Sequence, residues 1–328
     1  METIWKVNKT DKDGTVHFFH TSKKTEYARV ELFDTTTQTL IYIVEQEWGS
    51  RVDYYTSPGP AGKYSGNSIF RVINKDGKMV LEYPYEHEGE RRLPVINGKP
   101  VYFKSNPNDV TFCTLFEVFF KLDYQGDFCK VDVNDTVVDI GGNVGVFSVF
   151  AQQMKPKHTF VVEPMKETFD YMCENLKGFD NVTTINKAIS KDGGDMEFVI
   201  AHHSGCNILK NNLREVGEEI ANYATLSTGE SKLNTNSTTV KTITINDLIK
   251  EYNIDCIDFL KVDCEGGEKD LFETIDKNYL KNNVKKIALE YHSLEIREFI
   301  MKILIDCGFI IEKNTGGSDI GLIYAYKF

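Results

Sequence analysis

The sequence predicts an α/β protein, a doubly wound and mostly parallel sheet that ends in an antiparallel hairpin, with a smaller β-rich domain ahead of it. Three observations carry that expectation. From Asp135 onward, short apolar runs alternate with helix-length stretches through short connections, the pattern of parallel βα units. The closing FIIEK and IGLIYAYKF, joined by the Gly-rich NTGGSD, read as a hairpin. Residues 1 to about 105 carry alternating runs such as ARVELFD and TLIYIVEQEW, with turn signals at Asp76-Gly77 and Asn97-Gly98. A chain of 328 residues is too long for one ordinary core, so the division is placed at 1–105 and 106–328.

The first part has no catalytic signature. Its aromatics, Trp48, Tyr54, Tyr55, Tyr64, Tyr83 and Tyr85, would stack on sugar rings if exposed. Aromatic residues more often fill cores, and that is the expectation here. Near Asp109 the texture changes to DVTFCTLFEVFFKLDY, a helix capped by Asp109 or Thr111. Its face of Phe112, Leu115, Phe116, Phe119 and Phe120 is expected to pack on the sheet of the second domain. Glu117 lies one position off that stripe, solvated or reaching a cofactor from the domain seam.

The central stretch is DTVVDIGGNVGVFSVF, Asp135 to Phe150, which reads as strand, tight turn and helix. Gly141, Gly142 and Gly145 let a ligand approach the backbone, and N–H groups at a helix start face anions. The adjacent glycines depart from the dinucleotide fingerprint G-x-G-x-x-G. A second strand, HTFVVEPM, ends in Glu163, about twenty residues on, where doubly wound folds place an acid on a ribose. Asp139, beside the turn, suits an ammonium better than a pyrophosphate. A ligand with an amino-acid end and a nucleoside end fits both acids, and S-adenosylmethionine has that shape. The third strand, VTTIN, runs into Lys187, Ala188, Ile189 and Ser190, where an adenine would be gripped.

After a strand DMEFVIA comes a polar stretch to about Thr239, read as a mobile loop beside the substrate. His202 and His203 at its start are adjacent, cannot share a face in extended chain, and are read as solvated. The second informative stretch is IDCIDFLKVDCEGGEKDLFETI. Ile257, Phe259, Leu260 and Val262 form a buried strand, and Lys261, Asp263, Glu265 and Glu268 crowd its end. Burying so many charges is costly without partners, so they should line a cleft. With period two, Lys261, Asp263 and Glu265 point the same way. Gly266 and Gly267 open the next helix, with Glu268 at its positive end. KKIALEYHS is a further strand with Glu290 and His292 on one face, followed by a helix from about Leu294 to Cys307, stopped by Gly308.

Composition narrows the partners. Acidic residues outnumber basic ones by 49 to 38, a net charge of −11, which argues against nucleic acid or anionic membrane. The start, METIWKVNKTDKDG, has no apolar signal region, and no run approaches the roughly 18 apolar residues of a spanning helix. The seven cysteines are an odd set without C-x-x-C and spell neither a zinc site nor a disulfide frame. A soluble, cytoplasmic protein is expected, with its N-glycosylation sequons unused.

From about Asp109 the chain resembles the FkbM-type family of S-adenosylmethionine-dependent methyltransferases. TLFEVFF, VVDIGGNVGVFS for the DIGAN-x-G loop, VVEP, KAIS, FLKVDCEGGE for K-x-D-x-EG-x-E, and LEYH match in order. The family most often has Ala where this chain has Gly142, and the first hundred residues have no counterpart. The resemblance implies a Rossmann-like sheet with Gly141, Asn143 and Glu163 around the cofactor and Asp263 close to the methyl. It also implies O-methylation, commonly of sugar or polyketide hydroxyls, and the expected acceptor here is a glycan or nucleotide-sugar. An alcohol acceptor needs a positioned base or a metal. His292 is the natural base at neutral pH, while Asp263 and Glu265 orient the acceptor or hold a divalent ion between them. Base-only catalysis is the favoured expectation. The rivals are methylation of another small molecule or of RNA, a nicotinamide-dependent oxidoreductase and a non-catalytic cofactor-binding module.

Overall fold

The structure, a computed structural model, describes residues 5–10, 16–20, 26–34, 39–48, 54–56, 67–86, 95–96, 99–100, 102–104, 114, 117–119, 122–199, 208–209, 237–315 and 319–328. The chain forms two compact units, Met1–Asp123 and Tyr124–Phe328.

The first unit is built from strands, as its alternating runs predict. Glu26–Asp34 pairs antiparallel with Thr39–Trp48 and with Asn67–Asn74, which in turn pairs with Met79–Glu86. Ala28, Val30 and Val72 are buried while Arg29 reaches Glu31 at 2.9 Å. The Asp76-Gly77 turn forms as expected: Asn74 Oδ1 accepts from the Asp76 and Lys78 N–H groups at 3.1 and 2.9 Å, and Gly77 takes φ +75°.

The division falls later than 105/106, and Glu117, Val118 and Phe119, which are helical, belong to the first unit. Phe119 packs edge-on against Phe103 at 6.3 Å within that unit. The rest of its apolar stripe lies outside the described residues, as do Tyr64 and the side chains of Trp48, Tyr54, Tyr55, Tyr83 and Tyr85.

The second unit holds a seven-stranded sheet of β1 (Thr136–Ile140), β2 (His158–Val162), β3 (Val182–Ile185), β4 (Ile257–Val262), β5 (Val284–Tyr291), β6 (Ile310–Asn314) and β7 (Gly321–Tyr326), in the order 3-2-1-4-5-7-6. Strands β1 to β5 are parallel, and β7 runs antiparallel to β5 and to β6, giving the closing hairpin. The strand order reverses direction between β1 and β4, the switch point at which open α/β sheets bind ligands beyond their carboxyl ends.

The helices are α1 (Val146–Gln152), α2 (Lys166–Leu176), α3 (Ile245–Glu251), α4 (Glu268–Thr274), α5 (Lys277–Asn283) and α6 (Leu294–Asp306). Ser293 caps α6 by accepting from the Ile296 N–H at 3.1 Å, and Gly308 ends it with φ +83°. The central strands are buried on both faces, which is why they read as continuous apolar runs. Val138, Ile140, Leu260 and Val262 join one cluster with Leu248, Leu271, Phe272, Ile296, Ile300 and Leu304 from α3, α4 and α6. Phe259, facing the other way, stacks on Phe147 of α1 at 5.8 Å.

Between β3 and β4 a smaller sheet is inserted, with Ser237–Ile243 parallel to Ala188–Ile189 and antiparallel to Gly194–Val199. The polar stretch therefore gives way to a strand at Ser237; STTVKTI alternates exposed and buried positions, but its hydroxyl-rich composition reads as loop. His202, His203 and most of the expected mobile loop lie outside the described residues. Among the described residues no helix is long and apolar enough to cross a membrane.

Candidate active site

The carboxyl ends of β1 and β4 meet tightly. The Asp263 N–H donates to Ile140 O at 3.0 Å, and Gly141 turns away with φ +78°. A Cβ on Gly141 would lie 1.6 Å from Asp263 O, so only glycine fits. At Gly142, where the family resemblance expects Ala, a methyl would meet Val161 Cγ1 at 2.3 Å and Met172 Sδ at 3.0 Å; this chain has filled that space from behind.

The loop is not an anion cradle. Gly141 and Gly142 N–H both donate to Val162 O (3.0 and 2.9 Å), Asn143 N–H to Glu163 Oε2 (3.1 Å), Val144 N–H to Asn143 Oδ1 (2.7 Å), and Gly145 N–H to Gly142 O (2.8 Å). All five donors are consumed inside the fold, correcting the expectation of free N–H groups facing a ligand. A pyrophosphate would find no donor among them, whereas a ligand without phosphate needs none.

Beside this loop a cleft open to solvent is lined by Gly141, Asn143, Glu163, Lys187, Ala188, Asp263 and Glu265, with apolar walls from Val162, Pro164, Ile189 and Phe198. Glu163 is 7% exposed and also accepts from the Met165 N–H at 2.9 Å. Burial raises its pKa from 4.5 to about 7 against the pull of those two N–H donors. Lys187 pairs with Glu251 at 2.9 Å at the far end of the cavity. A buried acid facing an apolar-walled slot, beside a loop whose N–H groups are all taken, fits the ribose, adenine and amino-acid parts of S-adenosylmethionine.

Glu163 is expected to make affinity for such a ligand pH-dependent. Ribose hydroxyls donate to the ionised carboxylate, so binding expels the proton that Glu163 carries below about 7. Because the folded value lies above 4.5, the ligand-free protein loses stability as pH rises from 4.5 to about 7, and ligand offsets that loss. Calorimetry with S-adenosylhomocysteine is expected to show affinity falling up to about tenfold per pH unit below 7 and level above it. Glu163→Gln should flatten the profile; an unchanged slope would remove this role.

Three residues, Asp139 expected at the cofactor and Lys261 and His292 expected at the reaction centre, are held as braces within the fold. Asp139 is fully buried; Ser148 Oγ–H donates to its Oδ2 at 2.7 Å, and the ammonium near its Oδ1, at 3.3 Å, is the protein's own Lys261 rather than a ligand's. Lys261 Nζ also donates to Gly141 O at 2.7 Å and lies 3.5 Å from Asp263 Oδ2. Burial opposes its charge, but Asp139 and Asp263 outweigh it and hold its pKa above the ordinary lysine value. Neither Asp139 nor Lys261 lines the cavity.

His292, expected as the base, is 4% exposed, with Nδ1 3.0 Å from Glu268 Oε1 and Nε2 3.3 Å from Glu265 Oε2. Burial works against its charge, yet Glu265 and Glu268 hold its pKa well above the usual imidazole range. Burial pushes Glu265 up as well, so the pair shares one proton; Glu265 keeps a fifth of its side chain in solvent, which favours its ionised form and leaves the proton on the ring. An imidazolium has no lone pair to offer. Fully buried Glu268 also accepts from the Cys264 and Gly266 N–H groups at 3.1 and 2.9 Å, so the ring locks the 263–267 loop.

Ligand atoms of Asp263, Glu265 and His292 do lie within 4.8 Å of one another. Lys261 Nζ already lies 3.5 Å from Asp263 Oδ2 and supplies positive charge against that carboxylate, and no step is routed through a metal. Glu265 reaches this cluster through a left-handed turn, φ +51°, not through the strand register expected for it. Tyr124 carries no motif that would mark it for this site. Its hydroxyl lies 2.9 Å from Asp263 Oδ2 and 3.2 Å from Glu290 Oε2. Glu117 belongs to the other unit and is half-buried there.

Residues 139–311 match the model of the Methyltransferase FkbM domain. The chain is 23% identical over 208 residues to Methyltransferase sdnD of Sordaria araneosa, covering 58% of this chain and 80% of that protein. Similar solved structures include Aeropyrum pernix fibrillarin with natively bound S-adenosyl-L-methionine (12% identity, TM-score 0.39, 80% of this chain and 95% of that one). Another is a ribosomal protein L11 methylase from Lactobacillus delbrueckii subsp. bulgaricus (11%, TM-score 0.38, 73% and 90%). The matched region spans the glycine turn, Glu163 and the Asp263 loop, and it separates the chain from the nicotinamide rival. The chain belongs to the FkbM methyltransferase domain family and is an S-adenosylmethionine-dependent methyltransferase.

Proposed function

We propose that this enzyme methylates a hydroxyl group, on a sugar in a glycan or nucleotide-sugar, with Asp263 as the base. One observation carries the reading: Asp263 lines the cavity with its side chain 26% exposed, its Oδ2 held by Tyr124, and its Oδ1 without a hydrogen-bond partner among the described residues. When bound, S-adenosylmethionine supplies an electrophilic methyl whose sulfur keeps the C–S electron pair as an acceptor oxygen takes the carbon. What remains for the chain is to aim that oxygen and receive its proton. An ionised carboxylate with an open oxygen does both.

The acceptor class follows from charge. Asp263 and Glu265 line the cavity and Glu290 lies behind them against Tyr124, an acidic cluster that favours hydroxyl donors and repels phosphate-rich polymers such as RNA. The proposal includes a cytoplasmic location, no membrane or nucleic-acid partner and no metal requirement.

A radiolabelled methyl-transfer screen over a glycan library, with mass spectrometry of products and an EDTA control, tests the reading. Asp263→Asn should lower kcat about 100-fold or more while S-adenosylhomocysteine binding stays within a few-fold. Methylation at nitrogen or carbon, or full turnover in Asp263→Asn, would sink it.

A further inference from the structure

Tyr124 occupies an unusual position. It takes φ +67°, a left-handed conformation costly for a bulky side chain. Its N–H is caught by the Tyr324 hydroxyl at 3.0 Å, its ring meets Phe147 edge-on at 5.7 Å, and Lys261 Nζ lies 5.3 Å from the ring centre. All this aims one phenol oxygen at two carboxylates, Asp263 Oδ2 at 2.9 Å and Glu290 Oε2 at 3.2 Å. A phenol has one hydrogen and can donate to only one of them. The second contact becomes a hydrogen bond when that carboxyl carries a proton to donate in return.

We propose that Tyr124 and Glu290 form a relay that carries away the proton Asp263 takes from the acceptor, an inference that rests on the hydroxyl-methylation reading above. At rest the phenol donates to ionised Asp263. As the acceptor O–H bond breaks, its electron pair stays on the oxygen that takes the methyl, and its proton goes to the open Oδ1 of Asp263. The carboxyl rotates its proton toward the phenol oxygen, and the phenol hydrogen turns to Glu290. A concerted shift then moves one proton from Asp263 to the phenol and another from the phenol to Glu290. Asp263 is again ionised, the phenol is again neutral and donating to it, and Glu290, partly exposed at the end of β5, holds the proton until solvent takes it. No charge forms on the tyrosine at any stage. Asp263 is the catalytic residue of this chain, and Tyr124 and Glu290 act through it.

Two arms test the relay. In the ligand-free full-length protein labelled with 13C at tyrosine Cζ, the Tyr124 resonance, identified by its loss in Tyr124→Phe, should shift in both Asp263→Asn and Glu290→Gln. With the hydroxyl acceptor returned by the glycan screen, Tyr124→Phe and Glu290→Gln should each lower kcat about 10- to 100-fold and leave KM for S-adenosylmethionine unchanged. The double variant should be no slower than either single one, since both break the same chain. The proton inventory in mixed H2O and D2O should be curved for the wild type and linear for both variants. Wild-type kcat in Glu290→Gln, losses that multiply, or a Tyr124 resonance indifferent to Glu290→Gln overturns the relay while hydroxyl methylation stands. A screen that yields no hydroxyl product overturns both.

Discussion

Gly141→Ala is expected to lower affinity for S-adenosylhomocysteine at least about 100-fold, or some 2.7 kcal/mol, and to destabilise the domain that holds the site. The added methyl would sit 1.6 Å from Asp263 O and 2.7 Å from its carbonyl carbon, both backbone atoms that no rotamer change can move aside. At φ +78° the Cβ adds a further cost of about 1–2 kcal/mol. Relief requires the ends of β1 and β4 to part. That breaks the Asp263 N–H bond to Ile140 O, strains the Gly141 N–H bond to Val162 O, and pulls Gly141 O from Lys261. The cavity lies along this seam, so binding and stability fall together. Gly77→Ala is the control: it has nearly the same φ, +75°, but nothing within 4 Å of the added Cβ. That variant should lose only the backbone cost of about 1–2 kcal/mol and bind normally. Calorimetry and thermal melts of the two proteins make the comparison, and wild-type affinity in Gly141→Ala would refute the steric account.

Much of this architecture is legible in the sequence because it depends on local pattern. The buried runs VVDI, FVV and FLKV give β1, β2 and β4. The glycine turn, Glu163 and the Asp263 loop, each near a strand end, are drawn into one cavity by the parallel topology alone. What sequence cannot supply is which charged group answers which. Asp139 and Lys261 are 122 positions apart and become neighbours through the β1–β4 register, which sets Asp139 opposite Lys261. A carboxylate free to bind a ligand's ammonium and one already matched by an internal lysine look identical until that register is known. His292 fails as a base for a similar reason: its proton is fixed by Glu268, a helix residue that also gathers two backbone N–H groups. Tyr124 ends a run of apolar residues and carries no motif; only its left-handed backbone sends the phenol to Asp263. The strand Ser237–Ile243 escapes notice because Ser and Thr fill its exposed positions and signal loop by composition.

Lys261→Met should cost about 3–5 kcal/mol, a fall in Tm on the order of 10 °C for a unit of this size. Methionine keeps the length and the apolar stem, so the loss reports the ammonium. Without it, fully buried Asp139 keeps only the Ser148 hydroxyl at Oδ2, its Oδ1 faces no cation, and Gly141 O loses its 2.7 Å donor. Asp263 loses the cation 3.5 Å from Oδ2, so turnover should fall as well. The folded-state pKa of Lys261 lies above the unfolded value, so its contribution is complete at neutral pH and is lost only as pH rises through that higher value. The wild-type advantage should therefore be constant from pH 6 to 9. Asp139→Asn combined with Lys261→Met removes both charges and should recover a large part of the loss, since a buried pair is often worth little more than its neutral replacement. If the double variant melts as low as Lys261→Met alone, the cost lies in the Gly141 carbonyl and the packing around it, and the ion pair is not what holds β1 to β4.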